Sequence, residues 1–293
     1  MDENNSPRLT DIAYVKALME RHGRRFEKRY GQNFLVNPDV PRRIAEECGV
    51  SQESGILEIG PGVGALTVCL AKRYAKVVAV ELDRGLLPIL DETLSGYGNV
   101  KIINADVLKL DLAAVISEYF PGMDVSVCAN LPYYITTPVI IKLLESGVRF
   151  DAITLMVQRE FFVRLNAKPG TPEYSATTAE VAWFCNVKRL FDVSPGNFIP
   201  APKVVSSVIR LEPRTEPIKA VSHAAFKRVV AAAFSSRRKT LCNALSAGRD
   251  KAETADLLRQ IDIDPDRRGE TLGLDELIAV TQAFERDREY DNK

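Results

Sequence analysis

Histidine is nearly absent from this chain, with two among 293 residues, and the five cysteines form no C-x-x-C pair. A zinc site therefore has almost no material, and no metal is expected. The cysteines (Cys48, Cys69, Cys128, Cys185 and Cys242) are odd in number and scattered, and three fall inside apolar runs. They read as buried thiols of a reducing compartment. No apolar run approaches the ~20 residues that a membrane span requires. The opening Asp2-Glu3-Asn4-Asn5 shows no basic region followed by an apolar stretch. A secretory signal is not expected, and the cytoplasm is the expected location. Net charge is lacking too, since 39 basic residues balance 39 acidic ones.

What is present is an ordinary globular composition, 46% hydrophobic and 27% charged, at a length that fits one large or two unequal domains. The zero net charge hides an uneven distribution. Residues 21–43 hold Arg21, Arg24, Arg25, Lys28, Arg29, Arg42 and Arg43 against two acids. Residues 203–249 hold ten Lys and Arg, including Arg237-Arg238-Lys239, against Glu212 and Glu216 only. Residues 81–124 lean the other way, with eight acids and three basic residues. Two basic segments around an acidic one suggest a face shaped for phosphates, although solvated faces of ordinary helices give the same pattern.

From about residue 55, short β-rich runs alternate with helical stretches. Strands are predicted at Ile56–Ile59, Val77–Glu81, Val100–Asn104, Val125–Ala129 and Ala152–Val157. Helices are predicted at Ala65–Tyr74, Gly85–Leu94, Leu112–Tyr119 and Pro138–Ser146. Apolar two-sided strands alternating with helices indicate an α/β fold with a parallel sheet covered on both faces. Two late strands, Cys185–Val193 and Ser207–Leu211, suit an antiparallel hairpin at the sheet edge. Past the linker near 213–220, Ala225–Leu245, Ala252–Gln260 and Leu274–Glu285 read as helices. The expected organisation is a basic arm over 1–27, a ligand-binding α/β domain over 28–213 and a small helical domain over 218–293.

Leu57-Glu58-Ile59-Gly60-Pro61-Gly62-Val63-Gly64 ends the first of these strands and opens a helix. Glycines at Gly60 and Gly62 let the backbone turn sharply and let a ligand lie against the main chain. The spacing is G-x-G-x-G, not the G-x-G-x-x-G that seats a pyrophosphate. Glu81 follows Gly60 by twenty-one residues, the distance at which an acid holds ribose hydroxyls. Glu81 suits the ribose of either S-adenosylmethionine or NAD, and the shortened glycine spacing favours S-adenosylmethionine, a nucleoside without phosphates. Asp106, just past the third strand, is placed to accept from an adenine amino group, though alone it would read as a helix cap.

The fourth strand runs into Asn130-Leu131-Pro132-Tyr133-Tyr134. Ligands of such sheets bind beyond the carboxyl ends of the strands, so this turn should face the site. The Asn130 side-chain oxygen and the Leu131 carbonyl can each accept an N–H from an exocyclic amine. Pro132 stiffens the turn, and Tyr133 offers a flat face for a base. Two aimed acceptors favour a pyramidal, more nucleophilic nitrogen, so positioning and electrostatics carry the chemistry without a strong general base.

With these residues in hand, the chain resembles the ribosomal RNA adenine N6-dimethyltransferases, nearest the bacterial small-subunit group, over about Lys28 to Phe284. The matching stretches are Gly31-Gln32-Asn33-Phe34-Leu35, Glu58 through Thr67, Asn130-Leu131-Pro132-Tyr133-Tyr134-Ile135-Thr136, Phe198-Ile199-Pro200-Ala201-Pro202-Lys203-Val204, Phe234 through Leu241 and Arg267-Arg268-Gly269-Glu270-Thr271-Leu272. The resemblance implies a Rossmann-like class I methyltransferase sheet with a small C-terminal helical domain. It implies S-adenosylmethionine held by Asn33, Leu35, Gly60, Glu81, Asp106 and Asn130, and a flipped adenine sandwiched between Tyr133 and Phe198. It further implies dimethylation of N6 of adjacent adenines near the 3′ end of small-subunit ribosomal RNA, coupled to subunit biogenesis, by a monomer with no membrane partner. Arg159-Glu160-Phe161-Phe162 and Glu173-Tyr174-Ser175 depart from the family pattern, at the rim expected to face RNA.

Three other readings compete. A large-subunit, drug-resistance methyltransferase is disfavoured by the basic helical tail. An NAD-dependent oxidoreductase lacks its glycine spacing, and His22 and His223 both lie outside the predicted sheet. A binding-only assembly factor would not need Glu81, Asn130 and Tyr133.

Overall fold

The computed structural model describes residues 8–24 and 33–291. They fall into two compact units. One holds the described residues up to Phe162 together with Val187–Pro213. The other holds Val163–Asn186 and the described residues from Arg214 onward.

The first unit is built on a seven-stranded sheet. Its elements begin with α1 (Ile12–Arg21), β1 (Phe34–Leu35) and α2 (Asp39–Cys48). The alternating series follows as β2 (Gly55–Ile59), α3 (Ala65–Arg73), β3 (Lys76–Glu81), α4 (Leu87–Leu94), β4 (Val100–Asn104), α5 (Leu112–Tyr119), β5 (Val125–Asn130), α6 (Thr136–Leu144) and β6 (Ile153–Gln158). β7 (Cys185–Val193), β8 (Phe198–Ile199) and β9 (Ser206–Pro213) complete it. The sheet order is β4-β3-β2-β5-β6-β9-β7. β4, β3, β2, β5 and β6 are parallel, and β9 runs antiparallel to β6. Helical crossovers between parallel strands cover both sheet faces, so the central strands are apolar throughout: every residue of β2 is buried. Ile56, Leu57, Val77, Val78 and Val127 are fully enclosed. Truncating one of them, as in Leu57→Ala, costs about 2–5 kcal/mol through lost transfer energy and the cavity left behind.

The parallel register puts the carboxyl ends of four strands along one edge. Ile59 lies opposite both Val80 and Ala129, and Glu81 lies opposite Asn104. The predicted strands and helices of this region are present, with ends shifted by one or two residues. The α1 and α2 helices were not predicted. α1 is fixed by an Asp11 side chain that accepts from Tyr14 N at 2.8 Å.

Several cations of the basic N-terminal stretch prove to be engaged internally. Arg21 and His22 meet Glu92 at 2.6 and 2.8 Å, and Arg24 meets Asp83 at 2.6 Å. Arg42 pairs with Asp39, and the Arg43 guanidinium lies 3.9 Å from the Phe191 ring centroid. The acidic stretch after residue 81 is thus a partner of the arm, which leaves less of it for phosphates. Arg25, Lys28 and Arg29 lie outside the described residues, as do Gly31 and Gln32.

The second unit is helical. After α7 (Arg159–Leu165) come α8 (Ala176–Phe184), α9 (His223–Ala233), α10 (Leu241–Leu245), α11 (Lys251–Gln260) and α12 (Leu274–Asp291). Trp183, Phe226, Val230, Leu241, Leu258, Leu272 and Leu277 form its buried core. The rings of Trp183 and Phe226 sit 4.4 Å apart. This division differs from the linear one read from sequence, because α8 contributes Trp183 to the helical core. The helix expected over 225–245 is two. α9 ends at Ala233, and Thr240 caps α10 by accepting from Asn243 N. Gly269 is required by packing, since a Cβ there would stand 2.1 Å from the Ala233 carbonyl oxygen. Arg267 binds both carboxylate oxygens of Glu276, at 2.5 and 3.1 Å. The Arg267–Leu272 motif therefore holds this unit together.

Candidate functional site

A cavity of about 290 Å³ opens at the carboxyl edge of the parallel strands. Its walls come from five places. They are the Asn33-Phe34-Leu35 segment, the end of β2 with its glycine loop, the end of β3 through Asp83, the Ala105–Leu108 turn after β4, and the turn after β5. Every cofactor residue expected from the sequence lines it: Asn33, Leu35, Gly60, Gly62, Glu81, Asp106 and Asn130. Leu131 lines it as well.

The glycine loop is built as its sequence demands. Gly60, Gly62 and Gly64 have φ of 72°, 61° and 92°, a left-handed region costly for any residue with a Cβ. At Gly62 an added Cβ would also press on the Phe34 ring at 3.1 Å. The backbone is thereby left bare to a ligand, and α3 starts at Ala65 immediately beyond.

Glu81 ends β3 with 6% exposure, and its Oε1 accepts from Asp83 N at 2.7 Å. Burial pushes its carboxyl above the usual range, while the main-chain N–H groups of Asp83 and Gly62 work against that rise. The glycine loop and the Glu81 carboxyl are therefore joined through the Gly62 main chain. Asp106 accepts from Leu108 N at 3.0 Å, so it caps its own turn while facing the cavity.

Asn130 closes β5, and its Nδ2 donates to the main-chain carbonyl of Asn33 at 3.2 Å. A carbonyl can only accept, so the amide orientation is fixed by the bond. Oδ1 is the atom left to accept a further hydrogen bond. Pro132 holds φ at −56° in the turn that follows.

Tyr133 and Phe198 do not line the cavity. The Tyr133 hydroxyl lies 2.7 Å from Ser206 Oγ on β9. Burial raises its phenol, and Ser206 opposes the rise. Phe198 departs from the sequence expectation. Its ring is 4% exposed and packs with Leu35, Cys128, Met156 and Val208. The cause is the two-stranded ribbon in which Leu35 of β1 pairs with Phe198 of β8. A ring so covered presents no open face to a base in this conformation.

The sequence reading assigned no role to several residues of this site. Tyr134, 62% exposed, lines the cavity, as does Asp83. Glu58 lines it too, although it is 1% exposed, and its Oε2 has no hydrogen-bond partner. An acid inside an otherwise apolar two-sided strand was the available signal. Among the described lining residues four carboxyls (Glu58, Glu81, Asp83, Asp106) face the cavity and no Lys, Arg or His does. Such a lining suits a cationic nucleoside and opposes a pyrophosphate. No group of His, Cys, Asp and Glu able to hold a metal occurs among the described residues, and no helix there is long and apolar enough to cross a membrane.

Residues 23–279 match the family of ribosomal RNA adenine dimethylases. The chain is 47% identical over 286 residues to ribosomal RNA small subunit methyltransferase A of Bacillus cereus (strain AH187), covering 94% of this chain and 98% of that protein. The same figures hold for the protein of that name from Bacillus anthracis (strain A0248). Among solved structures, a dimethyladenosine transferase from Plasmodium falciparum superposes with a TM-score of 0.74 at 26% identity, covering 87% of this chain and 98% of its own. The 23S rRNA methyltransferase ErmE gives 0.64 at 25% identity, covering 86% and 100%.

Proposed function

The chain belongs to the ribosomal RNA adenine dimethylases, and from that premise we propose that it transfers two methyl groups from S-adenosylmethionine to N6 of each of adjacent adenines near the 3′ end of small-subunit ribosomal RNA, during assembly of the subunit. The observation that carries the reading is the cavity itself: a bare glycine backbone, four carboxyls of which Asp83 is already met by Arg24, and Asn130 in its wall with Oδ1 left to accept. The residues fit the cofactor. Glu81 suits the ribose diol, Asp106 the adenine amino group, and Gly60 and Gly62 the close approach of the nucleoside.

When bound, S-adenosylmethionine supplies a methyl group activated by a sulfonium. The protein's own part is to aim the nitrogen. Adenine N6 is a weak nucleophile because its lone pair is delocalised into the ring. Asn130 Oδ1 and the Leu131 carbonyl each take one N–H, which favours a pyramidal nitrogen whose lone pair is less conjugated with the ring and is aimed at the methyl group. After one transfer the nitrogen sheds one proton to solvent, and a single N–H remains. One acceptor still holds it while rotation about C6–N6, or release and rebinding, presents the nitrogen again. Tyr133 provides the stacking face that offsets the few kcal/mol of unstacking a flipped base. Phe198 joins that stack only once displaced from its seat beside Leu35.

The RNA is held by cations exposed on the helical unit, Lys219, Arg228, Arg238 and Lys239, through phosphate contacts that zero net charge does not prevent. Mass spectrometry of digested RNA from unmodified small subunits, incubated with protein and cofactor, tests the whole reading. N6,N6-dimethyladenine is expected, with primer extension stopping at adjacent adenines near the 3′ end. Methyl groups on cytosine or ribose, or monomethyladenine alone at saturation, would refute it.

A further inference from the structure

Glu58 sits where a carboxyl is least expected, at the fourth position of a strand buried along its whole length. It is 1% exposed, lines the cofactor cavity, and leaves Oε2 without a hydrogen bond. An ionised carboxyl taken out of water with no cation to face costs several kcal/mol. Groups from three neighbouring elements bear on it. α3 contributes Thr67 and Cys69, the end of β3 contributes Glu81, and β5 places Cys128 opposite in register. None of these is a cation. The cations of that side, Lys72 and Arg42, bear on Cys69. Of the remaining carboxyls of the cavity, Asp83 is met by Arg24 at 2.6 Å and Asp106 lies 3.9 Å from Lys109, and neither cation lines the cavity.

We infer that Glu58 holds a proton in the cofactor-free protein and releases it when S-adenosylmethionine enters, so that the cationic methionine end of the cofactor faces a newly formed carboxylate. The inference rests on the cofactor assignment above and extends it to how the charge is read. Only one bond changes: the carboxyl O–H breaks, its electron pair stays on oxygen, and the proton passes to solvent. The electrostatics agree. Burial pushes the Glu58 carboxyl up to about 8; the Thr67 hydroxyl works against the rise and Glu81 adds to it. Below that pH, uptake that expels a proton must tighten as pH rises, by up to about tenfold per pH unit. The same nucleoside without sulfonium or amino-acid end, 5′-methylthioadenosine, offers no positive charge and should expel none.

Calorimetric titration at pH 7, in two buffers of different ionisation enthalpy, counts the protons. The wild-type protein should release about one with S-adenosylmethionine, close to none with 5′-methylthioadenosine, and Glu58→Gln should release none with either. Binding of S-adenosylmethionine with heats independent of buffer overturns the inference and leaves the cofactor assignment standing. No binding of S-adenosylmethionine at all overturns the assignment instead. Undiminished release from E58Q moves the proton to another carboxyl and also overturns it. Should E58Q fail to fold, infrared difference spectra of the wild-type protein read the same event. The carbonyl band of a protonated carboxyl should vanish on adding S-adenosylmethionine, and its persistence overturns the inference.

Discussion

Asn130 and Asn33 are joined by a 3.2 Å bond from the side-chain amide of one to the main-chain carbonyl of the other, across 97 positions of sequence. The bond ties the turn after β5 to the segment entering β1 and sets which atom of the amide is left to accept. Asn130→Ala should lower the methyl-transfer rate by roughly 10²–10³ for one missing orienting group. RNA binding should stay within a few-fold of wild type. Single-turnover rates beside filter binding check it, and a loss confined to RNA affinity would argue against the orienting role. Asn130→Asp should be no milder, because a carboxylate turned toward the Asn33 carbonyl sets acceptor against acceptor.

Glu81→Ala should weaken S-adenosylmethionine by about 2–3 kcal/mol, the size of a charge-assisted pair of hydrogen bonds. Calorimetry on the variant measures it directly. Unchanged affinity would mean that the ribose diol is held elsewhere.

Arg237 and Arg238 are neighbours with different surroundings. Both are exposed, but of the two only Arg237 donates from its side chain, Nη2, to the main-chain carbonyls of Pro172 and Tyr174 within the helical unit. Arg238→Glu should reduce subunit affinity several-fold and flatten its dependence on salt. Melting and cofactor binding should not change. Arg237→Glu should lower the melting temperature as well, because two carbonyls lose their donor. Equal melting losses in both variants would remove the distinction.

Stability should carry the signature of Glu58. Its folded carboxyl titrates near 8, above the ordinary value of 4.5. The folded state therefore binds the proton more tightly than the unfolded chain. This contribution is fully present below pH 4.5 and is lost as pH rises through 8. Glu58→Gln, which cannot ionise, should melt at a higher temperature than wild type at pH 8 when cofactor is absent, and the gap should close toward pH 5. Thermal scans at the two pH values decide it, and a gap that does not change with pH counts against a buried acid.

Much of the site was legible because its chemistry is local in sequence. Gly60 and Gly62 require their φ values whatever surrounds them, and the distance to Glu81 follows from one strand, one helix and the next strand. Register in a parallel sheet then brings Asp106 and Asn130 to the same edge. Phe198 was not legible, because its burial depends on pairing with Leu35, 163 residues earlier. Nor was the fate of Arg21 and Arg24, whose partners Glu92 and Asp83 are remote in sequence. The break of the helix over 225–245 was announced by Ser235-Ser236 and the capping Thr240, but apolar periodicity ran across it.

Trp183 lies in a segment that leaves the sheet after β6 and returns to it at β7, while the rest of its core arrives only after Pro213. During synthesis the α8 helix leaves the ribosome with its indole exposed and must wait for Phe226 and Leu277 before it can be buried. A chain cut at residue 213 would keep that helix and strand it, apolar side outward, on an otherwise finished sheet. Expression of the catalytic part alone is therefore a question of loop surgery rather than truncation: residues 163–186 must be replaced by a short connection, or the shortened protein will associate through the uncovered face of Trp183.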